Sequence, residues 1–211
     1  MAQYIIPPEG KGSIAPSFHR GMEMVNPTVF PLTELHRFKH AFLIRNPIKA
    51  IPSYYRCTVP PLSERTGFTY FRSDEAGYRE LALLIEYLES SALETKPFIL
   101  DADDLLYDPE ACLKAFCDHV GHKYSDSMLS WEPHTGCGDF EKWDGFHDDA
   151  QGSNGLKKRG QGSRERVLYD LPHERQGWVG KFGAKGAAEI DASVAENTPI
   201  YKALKARAFK L

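Results

Sequence analysis

The sequence predicts an α/β domain, and three observations predict it. An apolar run ending in Arg45 opens into a helix, an amphipathic helix follows, and a second apolar run ends in acidic residues before another helix. Strands that each lead into a helix, in this order, imply parallel pairing with helical crossovers.

The first run is His40-Ala-Phe-Leu-Ile-Arg45, preceded by polar Lys39 and ended by Asn46-Pro47. Asn46 suits the N-cap and Pro47 the first helical position, so Ile48 to Arg56 winds for about two turns. Pro52 is expected to kink or limit that helix, because it has no N–H to donate. From about Asp74 to Ser90, with Ser73 as its cap, Tyr78, Leu81, Ile85 and Leu88 recur every three or four residues. That stripe is the apolar face of a helix. Pro97-Phe-Ile-Leu100 is the second buried strand and runs into Asp101, Asp103 and Asp104. A helix from Asp108-Pro109 to Val120 follows, with Cys112, Phe116 and Val120 toward the core and Gly121 as its stop.

Residues 1–130 therefore form the α/β core. Residues 131–186 are rich in Gly, His, Asp and Arg, with one short apolar stretch around Val167 to Leu171, and read as irregular loop. Residues 187–211 read as a terminal helix with Pro199 near its start and Ile200, Leu204 and Phe209 against the core. No internal repeat and no second domain is apparent.

Of the 211 residues, 42% are apolar and 26% charged, the balance of one domain with a sizeable core. A net charge of −3 gives no reason to expect nucleic acid held on a broadly basic surface. No stretch approaches the run of about 20 apolar residues that crosses a bilayer, and Met1 is followed by Ala-Gln-Tyr rather than by a signal sequence. The expected setting is cytoplasmic, with no membrane partner. Cys57, Cys112, Cys117 and Cys137 lack both zinc-site spacing and disulfide density, so they read as buried or idle thiols. Cys112, Cys117 and His119 share a helix, but no second pair of ligands completes a zinc site, and no metal is expected.

Ligands in open α/β folds gather at the carboxyl ends of strands, which is where Arg45 lies. Ser53 follows eight residues later, two turns into the next helix. A phosphate near that helix start would receive the planar donor fork of arginine, a hydroxyl, and the favourable end of the helix dipole. The competing reading is structural: Arg45 pairs with Asp101 or Asp103, and Ser53 packs. Spacing alone favours the structural reading.

A resemblance shifts the balance. His40-Ala-Phe-Leu-Ile-Arg-Asn-Pro-Ile-Lys-Ala-Ile-Pro-Ser-Tyr-Tyr-Arg56 resembles the sulfotransferase segment in which a strand ends in Arg-Asp-Pro and a serine follows eight residues after the arginine; Asn46 replaces the aspartate. The run from Leu100 through Asp108-Pro-Glu110 to Gly121 resembles that family's second landmark. Phe140-Glu-Lys-Trp-Asp-Gly-Phe-His-Asp-Asp-Ala150 is similar to a signature of a divergent branch often labelled branched-chain-aminotransferase-like or P-loop hydrolase-like. Nothing resembles an aminotransferase's cofactor-lysine context, so that label implies no chemistry by itself.

The resemblance implies a three-layer parallel-sheet P-loop fold, with Arg45 and Ser53 holding the 3′-phosphate of phosphoadenosine phosphosulfate as co-substrate. It implies sulfuryl transfer to the hydroxyl of a small-molecule acceptor, in secondary-metabolite biosynthesis, and places the basic run Lys157, Lys158 and Arg159 in a loop closing over the nucleotide. The reading of that run as a solvated loop stands beside it. His147 is a weak candidate acid or base and equally a structural histidine bonded to Asp148 or Asp149. Trp131, Trp143 and Trp178 are candidates to stack an adenine or, by default, to anchor loops.

Relatives also carry an amino-terminal strand, a phosphate-cradling turn and a helix. Gly10-Lys11-Gly12-Ser13 lies among prolines without a following helix and reads as loop, not cradle. The expectation is a domain incomplete at its amino end, in which the sulfonate side of the site falls before residue 1. Such a domain exposes a sheet edge, where a second copy or another partner pairs. The alternative function is a catalytically inactive remnant or nucleotide-binding interaction module. Hydrolysis with Mg²⁺ would need a carboxylate after a strand, for which Asp101 is the position to test.

Overall fold

A computed structural model describes residues 25–94, 96–132, 144–156 and 169–211. The fold is mixed α/β and mostly helical. Among the described residues, strands β1 (Ala41–Ile44) and β2 (Phe98–Asp101) form a two-stranded parallel sheet, with Phe42 opposite Ile99 and Ile44 opposite Asp101. A turn of helix, α1 (Leu32–Leu35), precedes β1.

Helix α2 (Pro47–Cys57) starts as the sequence dictates, with Pro47 in its first turn and the Asn46 side chain accepting from the Ile48 N–H at 3.1 Å. It does not stop at Pro52, and runs five residues further because Ile51, Tyr55 and Cys57 are buried and hold it. A short α3 (Ser63–Thr66) follows. The helix expected from Asp74 is divided: Ser73–Ala76 is a 3-10 turn, Gly77 takes a left-handed φ of 77°, and α4 runs from Tyr78 to Ser90. Only glycine adopts that φ at little cost, so the chain breaks there. Ser73 caps nothing; its hydroxyl meets Ser193 at 2.8 Å and Glu196 at 2.5 Å.

After β2, α5 (Ala102–Tyr107) is capped by Asp101 and α6 (Pro109–Val120) by Asp108, and Gly121 stops α6 with φ 74°. A short α7 (Asp148–Gln151) lies in the region expected to be loop. The main departure is α8, which spans Leu171–Arg207 rather than beginning near residue 187. Its glycines mask it in the sequence, and it breaks locally at Gly183 (φ 70°, ψ 175°). Packing supplies what propensity withholds. Trp178 is buried, and a Cβ on Gly186 would sit 2.9 Å from the Tyr55 hydroxyl, so only glycine allows α8 this close to α2. Pro199 falls deep inside α8, not near its start.

The core gathers Phe42 and Ile44 of β1, Ile99 of β2, Ile51 and Tyr55 of α2, Ile85 and Leu88 of α4, and Ile190, Val194 and Leu204 of α8. Burying each such side chain contributes about 1.5–3 kcal/mol. Phe209, past the helix end, donates its N–H to the Ile99 carbonyl at 2.7 Å and packs near Phe98. The chain end thereby covers part of the outer edge of β2. Among the described residues no strand pairs with the other edge of β1, where Leu43 is 58% exposed. No described helix is long and apolar enough to cross a membrane.

At the amino end of the sheet, a ring nitrogen of His119 lies 2.9 Å from the His40 carbonyl and 4.0 Å from Glu94, and the ring stacks on Phe98 at 5.3 Å. The His40 Nδ1 is buried without a partner among the described residues. Burial lowers the His40 pKa from its ordinary 6.5; Glu94 opposes this and His119 adds to it. The native state therefore holds less proton than the unfolded chain just below pH 6.5. Stability contributed above that pH is lost as pH falls through the depressed native value. Thermal unfolding between pH 8 and pH 5 is expected to show this loss, and His40→Gln to flatten it; an unchanged profile in the variant contradicts the assignment.

Candidate functional site

The carboxyl ends of β1 and β2 lie side by side, so Arg45 and Asp101 mark the two ends from which a site must be built. The Tyr78 hydroxyl donates to the Arg45 carbonyl at 2.6 Å, fixing the turn from β1 into α2. Burial pushes the Tyr78 phenol above its ordinary pKa; nearby Arg45 opposes this and Asp101 reinforces it.

Asp101 has no solvent exposure, and both of its oxygens are engaged within the protein. Oδ1 accepts from the Asp103 N–H at 2.8 Å and lies 3.1 Å from the Lys205 ammonium, while Oδ2 accepts from the Tyr201 hydroxyl at 2.8 Å. Lys205 also donates to Asp104 at 2.6 Å. Burial, strengthened by the bond to Asp101, raises the Tyr201 pKa, so the phenol keeps its proton and donates it. Asp103 accepts from the Tyr169 hydroxyl at 2.8 and 2.9 Å. The pairing of Arg45 with Asp101 or Asp103 is thus not the one the protein forms with Asp101, whose charge is answered by α8.

Arg45 is exposed, and its guanidinium makes no hydrogen bond or ion pair among the described residues. Ser53 is half-buried, and its hydroxyl likewise has no hydrogen-bond partner among them. Seven residues separate Ser53 from the N-cap Asn46, which is two turns and therefore the same helix face. The backbone donors of the first turn are already engaged: Ile48 by the Asn46 side chain, Lys49 and Ala50 by the Asn46 carbonyl. An anion here would be met by side chains and the helix dipole rather than by free N–H groups. Close by, Lys49 pairs with Glu174 and lies 5.0 Å from the ring centre of Tyr169.

The remaining candidates sit elsewhere or outside the described residues. His147 stands at the N-cap position of α7 without a side-chain capping bond, and in that helix Asp149 pairs with Arg56 in the last turn of α2 and Asp148 with Arg65. Arg45 precedes the first turn of α2, so about 15 Å of helix separates it from that contact. Gly145, at φ 82° and with a virtual Cβ 2.9 Å from Thr66, presses this segment onto α3. The Trp-x-Gly-Phe-His segment is, where described, a docking element. Lys157, Lys158, Arg159, Trp143, Cys137 and Gly10 to Ser13 lie outside the described residues. Trp178 is an anchor, and Trp131 donates to Ser153 at 3.1 Å. Cys57, Cys112 and Cys117 are free and buried, and burial pushes the Cys112 thiol up to about 11. Sequence reasoning missed Tyr201, Lys205 and Tyr169 altogether, because nothing local connects them to the aspartates they meet.

Over 94 residues the chain is 37% identical to branched-chain-amino-acid aminotransferase-like protein 2 of Arabidopsis thaliana, covering 44% of this chain and 14% of that protein. It is 32% identical over 102 residues to branched-chain-amino-acid aminotransferase-like protein 1 of the same plant, covering 48% of this chain and 16% of that protein. Those names agree with the label of the branch the sequence resembles, and the match spans a small part of each relative. No protein-family model matches the chain, and no solved structure matches it.

The Tyr201 bond to Asp101 is open to direct measurement. Tyr201→Phe removes one donor from a carboxylate that water cannot reach, and is expected to lower the urea-unfolding free energy by about 1–3 kcal/mol. A loss within about 0.5 kcal/mol, the ordinary surface range, contradicts the role given to it.

Proposed function

We propose that this chain binds a 3′-phosphorylated adenosine nucleotide at the start of α2 and belongs to the P-loop-related sulfotransferase group. The reaction is sulfuryl transfer from phosphoadenosine phosphosulfate to the hydroxyl of a small molecule. The observation that supports the reading is that, among the described residues, neither the Arg45 guanidinium, beside the strand ends, nor the Ser53 hydroxyl, two turns into α2, has a hydrogen-bond or ion-pair partner. The acid that would otherwise claim Arg45 is taken by Lys205 and Tyr201. The resemblance of His40 to Arg56 to the sulfotransferase landmark supplies the identity of the anion, and the likeness to the aminotransferase-like relatives agrees with its branch.

In such a transfer the acceptor oxygen attacks sulfur and the bond from sulfur to the 5′-phosphate oxygen breaks. Adenosine 3′,5′-bisphosphate leaves, and a base takes the hydroxyl proton. Arg45 and Ser53 hold the 3′-phosphate and so position the nucleotide; neither touches the reacting sulfur. Lys157, Lys158 and Arg159 are proposed to close over the nucleotide. His147, beside the far end of α2, is not placed to act as the base in this reading.

Titration with adenosine 3′,5′-bisphosphate tests the ligand. Removing a charge-assisted contact costs about 1.5–3 kcal/mol, so Arg45→Ala is expected to weaken binding by about tenfold to a hundredfold. Ser53→Ala, which removes a hydroxyl contact, is expected to weaken it by about threefold to tenfold. Absence of binding by the parent protein at millimolar nucleotide rejects the ligand. Binding without transfer of a radiolabelled sulfonate assigns a nucleotide-binding module instead.

A further inference from the structure

A second feature lies at this end of the molecule, bordered by Asn46 at the start of α2 but not by Arg45 or Ser53. Between the start of α2 and the two halves of α8 lies a cavity of about 360 Å³, at the small end of the range for organic ligands. Ile48, Leu171 and Val194 give it apolar walls, and Val194 and Tyr201 are themselves buried, so its floor belongs to the core.

Its polar groups are few and unequal. Arg175 and Asp191 line it but cancel, joined by two hydrogen bonds of 2.7 and 3.0 Å. Lys202, one turn beyond Thr198, is exposed on the rim and makes no hydrogen bond or ion pair among the described residues. Pro199 has no N–H, so the Ala195 carbonyl lacks its helical donor at the same rim. The cavity thus presents an apolar body, the side chains of Asn46 and Thr198 and, among the described residues, one cation without an ion pair.

The geometry points to a binding site for a small apolar monoanion, of the class of aryl or short alkyl carboxylates. The hydrocarbon part lies against Ile48, Leu171 and Val194, and the carboxylate faces Lys202. A cationic ligand would meet Lys202 unfavourably. A neutral apolar molecule would fill the walls and gain nothing at the rim, so charge discrimination is the signature of the site.

Calorimetric titration with 1-naphthoate, and with the uncharged 1-naphthalenemethanol, tests this. Naphthoate is expected to bind saturably below millimolar concentration, about threefold to fivefold more tightly than the alcohol, the worth of one exposed ion pair. Lys202→Gln, at an exposed position, is expected to abolish that preference while sparing the alcohol. Ala195→Trp, which places a large side chain across the rim, is expected to weaken both by about tenfold or more. No saturable binding, or binding unchanged in both variants, overturns the proposal. Should Ala195→Trp fail to fold, the Lys202→Gln result decides alone. Arg45→Ala is expected to leave naphthoate binding intact, so failure of the nucleotide reading and failure of this one are distinguishable.

Discussion

A carboxylate shut away from water must have its charge and its lone pairs answered within the protein, and Asp101 is answered chiefly by the last helix. Tyr201 and Lys205 of α8 reach it across about a hundred residues of sequence, and the Asp103 amide completes the set. Leaving such a group unpaired costs several kcal/mol, so α8 is bound to the end of β2 by more than apolar contact. The same arrangement bears on Arg45. With Asp101 neutralised from α8, the arginine closing β1 keeps its guanidinium in solvent, at the place where a phosphate would need it.

Local chemistry made part of this fold legible. Asn46-Pro47 and Asp108-Pro109 announce helix starts because the side-chain oxygen and the missing N–H do there what an N-terminus requires, and Gly121 ends a helix because it tolerates a left-handed φ. Strands β1 and β2 showed as short apolar runs. The first half of α8 did not show, since Gly177, Gly180, Gly183 and Gly186 argue against helix at every turn. Gly186 is there for the close approach of Tyr55 and Gly183 for a local break, and both are tertiary reasons that no window of sequence contains.

The site divides along the same line. Arg45 and Ser53 were visible because their spacing places both on one approach to α2. Their lack of other partners among the described residues was not, and spacing alone pointed to an ion pair with Asp101 or Asp103. At Asp101 that expectation failed because Lys205 and Tyr201, distant in sequence, take the carboxylate first. His147 drew notice for its residue type, whereas the protein uses its segment to dock on α3, with Arg65 bonded to Asp144 and Asp148. The cavity beneath α8 was beyond sequence reasoning, because its walls come from three segments and its shape from the bend that brings them together.

The tie between α8 and β2 depends on the coupling between Asp101 and Lys205. A double-mutant cycle with Asp101→Asn and Lys205→Met, read by urea unfolding, measures it without ligand or assay. If α8 is tied to β2 through this pair, the two losses will be non-additive, with a coupling of about 1–3 kcal/mol. Additive losses, with coupling below about 0.5 kcal/mol, would mean that Asp101 is satisfied without Lys205 and that the freedom of Arg45 needs another cause.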